Sequence, residues 1–333
     1  MARRLEHGLS TPPAAIGTDR LLLSVVVPVL NEQAAIAAFV QRMHAELALV
    51  SVQLDVEIIF VNDGSTDATE FVARSLMRTD ATLRLVNLSR NFGKDAALCA
   101  GLKHAKGQIV IPMDVDLQDD PAVIPAMIAK WRAGAKIVNA RRIDRSSDGW
   151  LKRKSAQGFY RLFNVLADYP IPADVGDFRL LDRQVVDILC SMGERARFNK
   201  SLFNWVGFQT DEVTFARTAR QTGHSGWTYW RLWNFALDGI FSSSTKPLRV
   251  WSYLGSIIAL MAFVYAAFIF LRTLLTGVDT PGYSSTVILI LLFGGLNLMA
   301  IGILGEYIGR IFTEVRARPL YIIRSVHSGE DAP

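Results

Sequence analysis

The sequence predicts an α/β domain with a largely parallel, doubly wound sheet, followed by a hairpin of two membrane-spanning helices. Short β-branched runs alternate with helical patterns as far as residue 140, and this order builds a parallel sheet covered by helices. Two segments near the C-terminus, Val250–Leu271 and Thr286–Gly305, contain no charged residue. Each is long enough to cross a hydrocarbon core of about 30 Å.

The amino-acid composition agrees with this division. Half of the 333 residues are hydrophobic and a fifth are charged, which excludes a disordered chain. The formal net charge at pH 7 is +5, a mild excess whose placement matters more than its size. Cys99 and Cys190 form neither a disulfide framework nor a CxxC metal motif. This favours a reducing, cytoplasm-facing compartment.

Five strand-like runs, with helical patterns between them, make up the predicted sheet. The predicted strands are Leu21–Val29, Val56–Val61, Leu83–Leu88, Gln108–Met113 and Lys136–Ala140. The predicted helices are Glu32–Leu49, Ala68–Arg78, Ala96–Lys106 and Pro121–Ala133. Asp67 and Asp119 are candidate N-caps of two of these helices. Ligands bind beyond the carboxyl ends of the strands in such sheets, so the segments that follow the strands are the candidate site.

We expect five segments along the chain. Residues 1–20 lack the apolar run of a signal peptide and are predicted to form a disordered lead-in. The α/β domain occupies residues 21–226. An amphipathic interfacial segment over 227–249, two transmembrane helices within 250–305 and a cytoplasmic tail over 306–333 follow it.

Charged residues around the two apolar segments predict their orientation. Lys246 and Arg249 precede the first segment, and the connecting loop carries only Arg272 against Asp279. The basic residues after the second segment are Arg310, Arg316, Arg318 and Arg324. Positive residues stay on the cytoplasmic side, so we expect both ends of the hairpin in the cytoplasm. The alternative is a pair of buried core helices, although such helices are rarely this long and apolar.

The segment just before the hairpin has an aromatic face. Residues at three- or four-residue spacing on this face are Trp227, Trp230, Trp233, Leu237 and Phe241. An amphipathic core helix is one interpretation. Three tryptophans next to a membrane span favour the other, a helix that lies at headgroup depth and holds the domain against the lipid.

Polar motifs follow three of the predicted strands. Asp114, Asp116 and Gln118 follow the fourth strand, and hard oxygen ligands of this kind suit Mg²⁺ or Mn²⁺. Residues 27–32 (VPVLNE) end the first strand, and residues 61–67 (VNDGSTD) end the second. Each alone is typical of a tight turn. Together, on one edge of a sheet, they predict a nucleotide site with a divalent metal.

These motifs resemble the donor site of family 2 glycosyltransferases with the GT-A fold. Residues 89–95 (SRNFGKD), 176–179 (GDFR) and 237–239 (LDG), placed before two spans, are similar to the polyprenyl-phosphate glycosyltransferases. This branch includes bacterial undecaprenyl-phosphate glucosyltransferases and, more distantly, dolichyl-phosphate mannose synthases. The resemblance covers about residues 22–320.

The resemblance implies an inverting hexosyltransferase that transfers one sugar to a polyprenyl (undecaprenyl) phosphate. It implies a multi-pass protein of the bacterial inner membrane with its catalytic domain in the cytoplasm, a homo-oligomer (a tetramer), and Mg²⁺ or Mn²⁺ as cofactor. UDP-glucose is the default donor. GDP-mannose, UDP-galactose, a UDP-N-acetylhexosamine and an aminopentose donor remain open, as does, in another class, a non-catalytic membrane scaffold or lipid transporter.

The resemblance also implies roles for individual residues. Asp63 corresponds to the aspartate that contacts the donor base, while Asp114, Asp116 and Gln118 match positions that engage ribose, metal and diphosphate. The remaining residues assigned to substrate binding are Pro28, Leu30, Asn31, Glu32, Ser65, Lys94, Asp95, Arg197 and Lys200. Many relatives have Ser-Lys followed by an aromatic residue at the position where this chain has Gly226 and then a tryptophan. We therefore assign no lysine role there.

Binding of the acceptor requires positive charge more than a base, because a lipid monophosphate is already mostly anionic at pH 7. Arg179, Arg197 and Lys200 are the candidate phosphate clamps, and their alternative is ordinary solvated charge. Asp177 is predicted to orient the acceptor or Arg179, and a structural turn role remains open. The predicted catalytic set is Asp114, Asp116, Asp177 and Arg179.

A cluster of basic residues follows the fifth strand: Arg141, Arg142, Arg145, Lys152, Arg153 and Lys154. It carries no recognised nucleic-acid-binding motif, so we expect no nucleic-acid partner. Near a membrane anchor it favours contact with anionic lipid. The two apolar segments contain only Asn297 and small hydroxyl residues as polar groups, which favours an anchor over a transport pathway.

Overall fold

The computed structural model describes residues 20–48, 54–142, 175–195, 199–215, 245–276 and 282–329. The strands of these residues are β1 Leu21–Val29, β2 Leu54–Asn62, β3 Leu83–Leu88, β4 Ile109–Pro112, β5 Ile137–Arg142, β6 Val175–Asp182, β7 Thr210–Phe215 and β8 Ile323–Ser328. The helices are α1 Ile36–Ala48, α2 Thr69–Met77, α3 Lys94–His104, α4 Ile124–Arg132, α5 Arg183–Ser191, α6 Asn199–Trp205, α7 Lys246–Thr276 and α8 Tyr283–Val315. A short 3-10 helix, Pro121–Val123, leads into α4.

The strands form one mixed sheet in the order β7-β5-β6-β4-β1-β2-β3-β8. The pairs β1–β2, β1–β4, β2–β3 and β5–β7 are parallel. Antiparallel pairing joins β6 to β4 and β5, and β8 to β3. The prediction of a mostly parallel sheet is therefore confirmed, and the carboxyl ends of β1, β2 and β4 lie at the same edge.

Helices cover the sheet on both faces. On one face α1, α2 and α4 bury a core that includes Phe39 and Phe60, whose rings meet edge to face at 6.0 Å. On the other face α3, α5 and α6 bury a second core around Val26, Leu181 and Phe203. Each central strand is apolar on both sides, as expected for a strand between two helical layers.

Helix α3 lies very close to the sheet, and Gly101 permits this. A Cβ atom at Gly101 would come within 2.2 Å of Val26 Cγ1 and 2.9 Å of Val61 Cγ2, distances that real side chains do not reach. The seven residues from Ala96 to Leu102 are all buried, so the middle of the helix is packed into the domain. Its N-terminus is thereby fixed near the sheet edge that carries the site.

The predicted elements match the observed ones, with differences at their ends. The five predicted strands differ from β1–β5 by at most two residues at either end. Helix α1 begins at Ile36, four residues after the predicted Glu32, because Asn31 and the residues after it form a loop of the site. The strands β6, β7 and β8 were not predicted.

The two predicted N-caps have different outcomes. Asp67 accepts hydrogen bonds from Thr69 N at 3.0 Å and Thr69 Oγ1 at 2.5 Å. The N-cap position itself is Ala68, so Asp67 accepts from the first backbone N–H of α2 from one residue earlier. The prediction for Asp119 is wrong, since Asp120 is the N-cap and accepts from Ala122 N at 3.1 Å. The turn starts one residue later because Pro121 occupies its first position.

The two apolar segments form helices longer than predicted. Within α7 and α8, the stretches Val250–Ile269 and Leu292–Val315 are long and apolar enough to cross a membrane, and neither is buried inside the protein. Phe263 and Leu275 are examples of large apolar side chains that face outward. This exposure argues against the alternative of core helices. The expected loop over 272–285 is shorter, because α7 continues to Thr276 and α8 begins at Tyr283.

The segment after the hairpin returns to the α/β domain. Arg195 donates from its backbone N to Glu314 Oε2 at 2.9 Å and from Nε to the Arg318 carbonyl O at 2.8 Å. Ser89 N then donates to the Ile322 carbonyl O at 2.9 Å, and β8 follows as an edge strand. The predicted aromatic segment with its three tryptophans lies outside the described residues.

Candidate active site

The carboxyl ends of β1, β2 and β4 bring the three polar motifs together. Val29 pairs with Asn62 in the sheet, and Asp63 N donates to the Val29 carbonyl O at 3.0 Å. Met113 N donates to the Val26 carbonyl O at 2.9 Å, so β4 leaves the sheet beside β1. The loops that start at residues 30, 63 and 114 are therefore neighbours, as the sequence predicts.

Asn31 joins the first loop to the second. Its backbone has φ of 56°, a left-handed conformation that asparagine tolerates better than most residues. Asn31 N donates to Ser65 Oγ at 2.9 Å, and Thr66 N donates to Asn31 Oδ1 at 2.8 Å. The two loops are thus fixed to each other by reciprocal hydrogen bonds.

Asp63 joins the second loop to the segment after β3. Asp63 is only 3% exposed, and its two carboxylate oxygens accept hydrogen bonds from Phe92 N at 2.7 Å and Gly93 N at 2.9 Å. Burial raises the pKa of Asp63, and the two backbone donors and nearby Arg90 partly oppose this. At Gly64, with φ of 74°, a Cβ atom would lie 2.5 Å from the Arg90 carbonyl carbon. Glycine therefore allows the two segments to touch.

Lys94 stands between two carboxylates at the first position of α3. Its Nζ lies 2.6 Å from Asp114 Oδ1 and 2.7 Å from Asp177 Oδ2. Burial of the ammonium acts to lower the pKa of Lys94, but Asp177 and Asp114 outweigh it and hold that pKa above its usual range. The three charges connect β4, α3 and β6, so two predicted catalytic residues share one cation.

The loop after β4 offers a donor set that suits a divalent metal. Leu117 has φ of 52°, and Gln118 N donates to Asp116 Oδ1 at 3.2 Å, so the loop turns tightly around Asp116. Among the described residues, no group of three or more His, Cys, Asp or Glu side chains could enclose a metal. Two carboxylates and one amide, from Asp114, Asp116 and Gln118, fit instead a Mg²⁺ or Mn²⁺ ion whose remaining ligands are substrate phosphates and water.

Arg179 is buried beneath the site. It is 3% exposed, its Nη2 donates to the Gly176 carbonyl O at 2.6 Å, and its guanidinium carbon lies 4.0 Å from the centre of the Phe203 ring. Burial lowers the pKa of Arg179 to about 10, which Asp177 partly opposes, so the group is still charged at pH 7. Its Nε is buried without a hydrogen-bond partner, which leaves one donor for a further acceptor.

The other predicted substrate residues of the described chain surround this network. Pro28 lies in β1, and Leu30 directly after it is 40% exposed at the sheet edge. Glu32 N donates to Thr69 Oγ1 at 2.9 Å, which ties the first loop to α2. Asp95 lies in the first turn of α3, where a carboxylate stabilises the helix dipole.

Some predicted residues cannot be placed. Arg197 lies outside the described residues, as does the side chain of Lys200. In the basic cluster, Arg141 and Arg142 each face a carboxylate, at 3.3 and 3.7 Å. The cluster members outside the described residues are Arg145, Lys152, Arg153 and Lys154.

Sequence reasoning missed a buried amide network behind the second loop. Asn62 Oδ1 accepts from Ser65 N at 2.9 Å, and Asn62 Nδ2 donates to Asn87 Oδ1 at 2.9 Å. Asn87 Nδ2 donates in turn to Glu70 Oε1 at 3.2 Å. Each asparagine stands near the end of its strand, directly after apolar residues. That position was the available signal, because buried amides need partners.

Comparison with known sequences identifies the family. Residues 24–189 match the family model described as Glycosyl transferase family 2, and residues 246–311 match the one described as GtrB C-terminal hairpin. The SfII prophage-derived bactoprenol glucosyl transferase of Shigella flexneri is 49% identical over 92% of this chain and 99% of its own. This chain belongs to glycosyltransferase family 2. The family confirms the GT-A fold and the predicted enzyme class.

Other family 2 relatives align over similar lengths. The prophage bactoprenol glucosyl transferase homolog of Escherichia coli (strain K12) is 48% identical over 91% of this chain and 99% of its own. An uncharacterized glycosyltransferase of Synechocystis sp. is 45% identical over 93% of this chain and 97% of its own. The match thus includes the hairpin as well as the α/β domain, and the glycosyltransferase is membrane-associated.

Two solved glycosyltransferase structures align with parts of this chain. The mannosyltransferase PcManGT from Pyrobaculum calidifontis, in complex with GDP-Man and Mn²⁺, has a TM-score of 0.46 and 18% identity, covering 90% of this chain and 87% of that one. Glucosyl-3-phosphoglycerate synthase from Mycobacterium tuberculosis, in complex with Mn²⁺, UDP-Glc and phosphoglyceric acid, has a TM-score of 0.44 and 20% identity, covering 66% and 78%.

Replacement of Lys94 by methionine should destabilise the domain in a pH-dependent way. Because the pKa of Lys94 is raised, its ammonium stays charged through neutral pH, and its contribution to stability is complete below the pKa of a lysine in the unfolded chain. Lys94→Met should lower the free energy of unfolding at pH 7.5 by about 1–3 kcal/mol, between the values for exposed and buried ion pairs. The difference should stay constant between pH 6 and pH 9 and shrink above about pH 10, where the lysine of the unfolded chain loses its proton while Lys94 in the folded enzyme keeps it.

The measurement is thermal unfolding of the detergent-solubilised enzyme from pH 6 to pH 11. Lys103→Met, on the exposed side of the same helix, is the matched control and should show no such pH dependence. A Lys94→Met deficit that stays constant over this range would contradict the ion-pair explanation.

Proposed function

We propose that this glycosyltransferase transfers glucose from UDP-glucose to the phosphate of undecaprenyl phosphate. The observation that carries the proposal is the identity of 49% to a bactoprenol glucosyl transferase over 92% of the chain, hairpin included. Bactoprenol is a polyprenyl lipid, and a water-soluble acceptor would give no reason for a membrane hairpin in the same chain.

The donor would bind along the edge formed by the loops after β1, β2 and β4. The base would lie against Asp63 and the residues of the first loop, Pro28, Leu30, Asn31 and Glu32, with Ser65 holding that loop in place. The connection of these loops by hydrogen bonds supports this, since a base pocket must keep its shape before the ligand arrives.

The diphosphate would lie over the loop after β4. Asp116 and Gln118, with Asp114, would hold a Mg²⁺ or Mn²⁺ ion together with the diphosphate oxygens. The ion would neutralise the charge that develops on the leaving UDP. Asp114 is already ion-paired with Lys94, so we assign the principal ligand role to Asp116.

Transfer is a single displacement with inversion at the sugar. A phosphate oxygen of the acceptor forms the new bond to C1 while the bond from C1 to the UDP oxygen breaks and UDP leaves with its electron pair. The acceptor needs no general base, because its phosphate is already mostly ionised at pH 7. The protein's task is to place two anions next to each other and to neutralise them.

Arg179 is the acceptor clamp we favour within the described residues, with Arg197 and Lys200 as further candidates. Asp177 lies on the same face of β6, two residues before Arg179, and is held by Lys94. Lys94 therefore touches one carboxylate on the donor side and one on the acceptor side. This arrangement supports a role for Asp177 in positioning Arg179 or the acceptor phosphate.

The membrane arrangement follows from the hairpin and the last strand. Because β8 lies in the same sheet as β1, α8 must end on the side of the membrane where the domain lies, which requires an even number of crossings. Together with the flanking arginines, this supports a multi-pass protein of the bacterial inner membrane with a cytoplasmic catalytic domain. The homo-oligomer and the five-segment division stay predictions.

The reaction is tested with membranes that contain the full chain. Incubation with a panel of radiolabelled nucleotide sugars, followed by lipid extraction, should transfer label from UDP-glucose to an acid-labile polyprenyl lipid. If only GDP-mannose or another UDP-sugar transfers label to the lipid, that nucleotide sugar is the donor and the assignment of UDP-glucose is wrong. No lipid label from any donor would refute the function.

Asp116→Ala should reduce turnover at least 100-fold in this assay, as expected for the loss of a major electrostatic group. Excess chelator should abolish wild-type activity, and Mg²⁺ or Mn²⁺ should restore it. Asp120→Asn, in the same loop with its N-cap function retained, is the control and should remain active. Full activity of Asp116→Ala, or of the wild-type enzyme in excess chelator, would show that the assignment of a metal to this loop is wrong.

Arg179→Ala should raise the KM for polyprenyl phosphate or lower kcat by roughly 10- to 100-fold, the equivalent of one charge-assisted contact. UDP affinity should change far less. Because Arg179 is buried, thermal unfolding must be measured alongside, with Arg179→Lys as a milder variant and the exposed Arg78→Ala as control. Lost UDP affinity with retained lipid affinity would place Arg179 in the donor site.

The topology is tested on right-side-out vesicles. A cysteine placed at Asp279, in a chain whose two native cysteines are replaced by serine, should react with a membrane-impermeant maleimide from outside. Protease added to the same vesicles should leave the catalytic domain intact. Digestion of that domain before lysis would show the opposite orientation.

A further inference from the structure

The strand that follows the membrane hairpin completes the sheet next to the candidate donor site. β8 pairs antiparallel with β3, and Ser325 lies opposite Asn87. The register shifts between Asn87 and Leu88, so the pairing is irregular at the point where β3 leaves the sheet. This is also the point from which the segment 89–93 runs to Asp63 and Lys94.

Asn87 is the centre of a buried polar network that includes this strand. Its side chain is fully buried, and its Nδ2 donates to Ser325 Oγ at 3.0 Å and to Glu70 Oε1 at 3.2 Å. The other carboxylate oxygen of Glu70 pairs with the guanidinium of Arg324. The Glu70 carboxylate only accepts hydrogen bonds and so fixes which way the Asn87 amide points. Two consecutive residues of β8 support this arrangement, Ser325 by accepting from the amide and Arg324 by pairing with the carboxylate.

The network continues into the loop we assign to the donor. Asn87 Oδ1 accepts from Asn62 Nδ2, which leaves Asn62 Oδ1 to accept from Ser65 N at 2.9 Å. Ser65 Oγ then accepts from Asn31 N at 2.9 Å. An amide has one donor end and one acceptor end, so the orientation of Asn87 fixes that of Asn62 and, through it, the position of Ser65.

We infer that Asn87 is a positioning residue for the donor loop and that the post-hairpin strand, through Ser325, is a structural part of the donor site. The inference rests on the proposed donor site. Asn87 touches no substrate atom in this arrangement and acts through Asn62 and Ser65. A chain of buried amides is rigid when every member is satisfied and loses its orientation when one acceptor is removed.

The test is UDP titration by calorimetry of the full-length, detergent-solubilised enzyme, together with steady-state kinetics in both substrates. Ser325→Ala should raise the Kd for UDP and the KM for UDP-glucose about 3- to 10-fold, the equivalent of one neutral hydrogen bond. The KM for the lipid and kcat at saturating donor should stay close to wild type. Ser325→Thr, which keeps the hydroxyl, should restore UDP affinity.

Asn87→Ala removes all three hydrogen bonds of the amide and should weaken UDP binding more, by about 10- to 100-fold. If that variant does not fold, the comparison of Ser325→Ala with Ser325→Thr still decides. Val326→Ala, a neighbouring exposed position on β8, is the matched control and should bind UDP as the wild type does.

Ser65→Ala separates this inference from the donor site on which it rests. If Ser65→Ala loses UDP affinity while Ser325→Ala and Asn87→Ala bind normally, the donor site stands and the positioning role is refuted. If Ser65→Ala also binds UDP normally, the donor assignment itself is wrong. An equal rise in donor and lipid KM for Ser325→Ala would indicate general destabilisation and would overturn the inference.

Discussion

The buried carboxylate of Asp63 is the interaction on which the site depends. By accepting from Phe92 N and Gly93 N it joins the end of β2 to the segment after β3. Helix α3 begins at the next residue, so the same two bonds place Lys94 beside Asp114 and Asp177. A buried carboxylate without such donors would cost several kcal/mol, and the fold therefore keeps this loop closed.

Charge neutralisation within the protein is a second organising feature. Two anionic substrates must approach each other, yet most of the carboxylates in the site are already compensated by Lys94 or by backbone N–H groups. Burial lowers the pKa of Arg179 only to about 10, with Asp177 opposing it, so the guanidinium keeps its charge. The Phe203 ring and the Gly176 carbonyl O replace part of its hydration. A positive group that is already desolvated interacts strongly with a phosphate.

Sequence patterns predicted the centre of the sheet better than its edges. The strands β1–β4 are dominated by apolar residues and β5 begins with an apolar pair, whereas β6, β7 and β8 read VGDFRLLD, TDEVTF and IRSVHS. These mix polar and apolar residues, because they are short, antiparallel or at an edge, and their pattern resembles a loop. The motifs also predicted that the segments carrying Asp63 and Asp116 meet at one edge of the sheet, and the structure places them there. The Lys94 ion pairs and the Asn87 amide could not be foreseen, since their partners come from distant strands. Two aspartates, Asp119 and Asp120, precede Pro121. The sequence alone does not distinguish them, and the structure shows that Asp120 is the N-cap.

The position of β8 has a consequence for how the protein is made. The strand is the last element of the sheet, and the two apolar helices lie between it and the rest of the domain in the chain. During synthesis the edge of β3 stays unpaired until both helices have been translated and inserted into the bilayer, because β8 follows them in the chain. An open strand edge invites pairing with other chains. A soluble fragment that ends before the hairpin would keep that edge permanently, so expression of the isolated domain should favour aggregation over a monomeric enzyme.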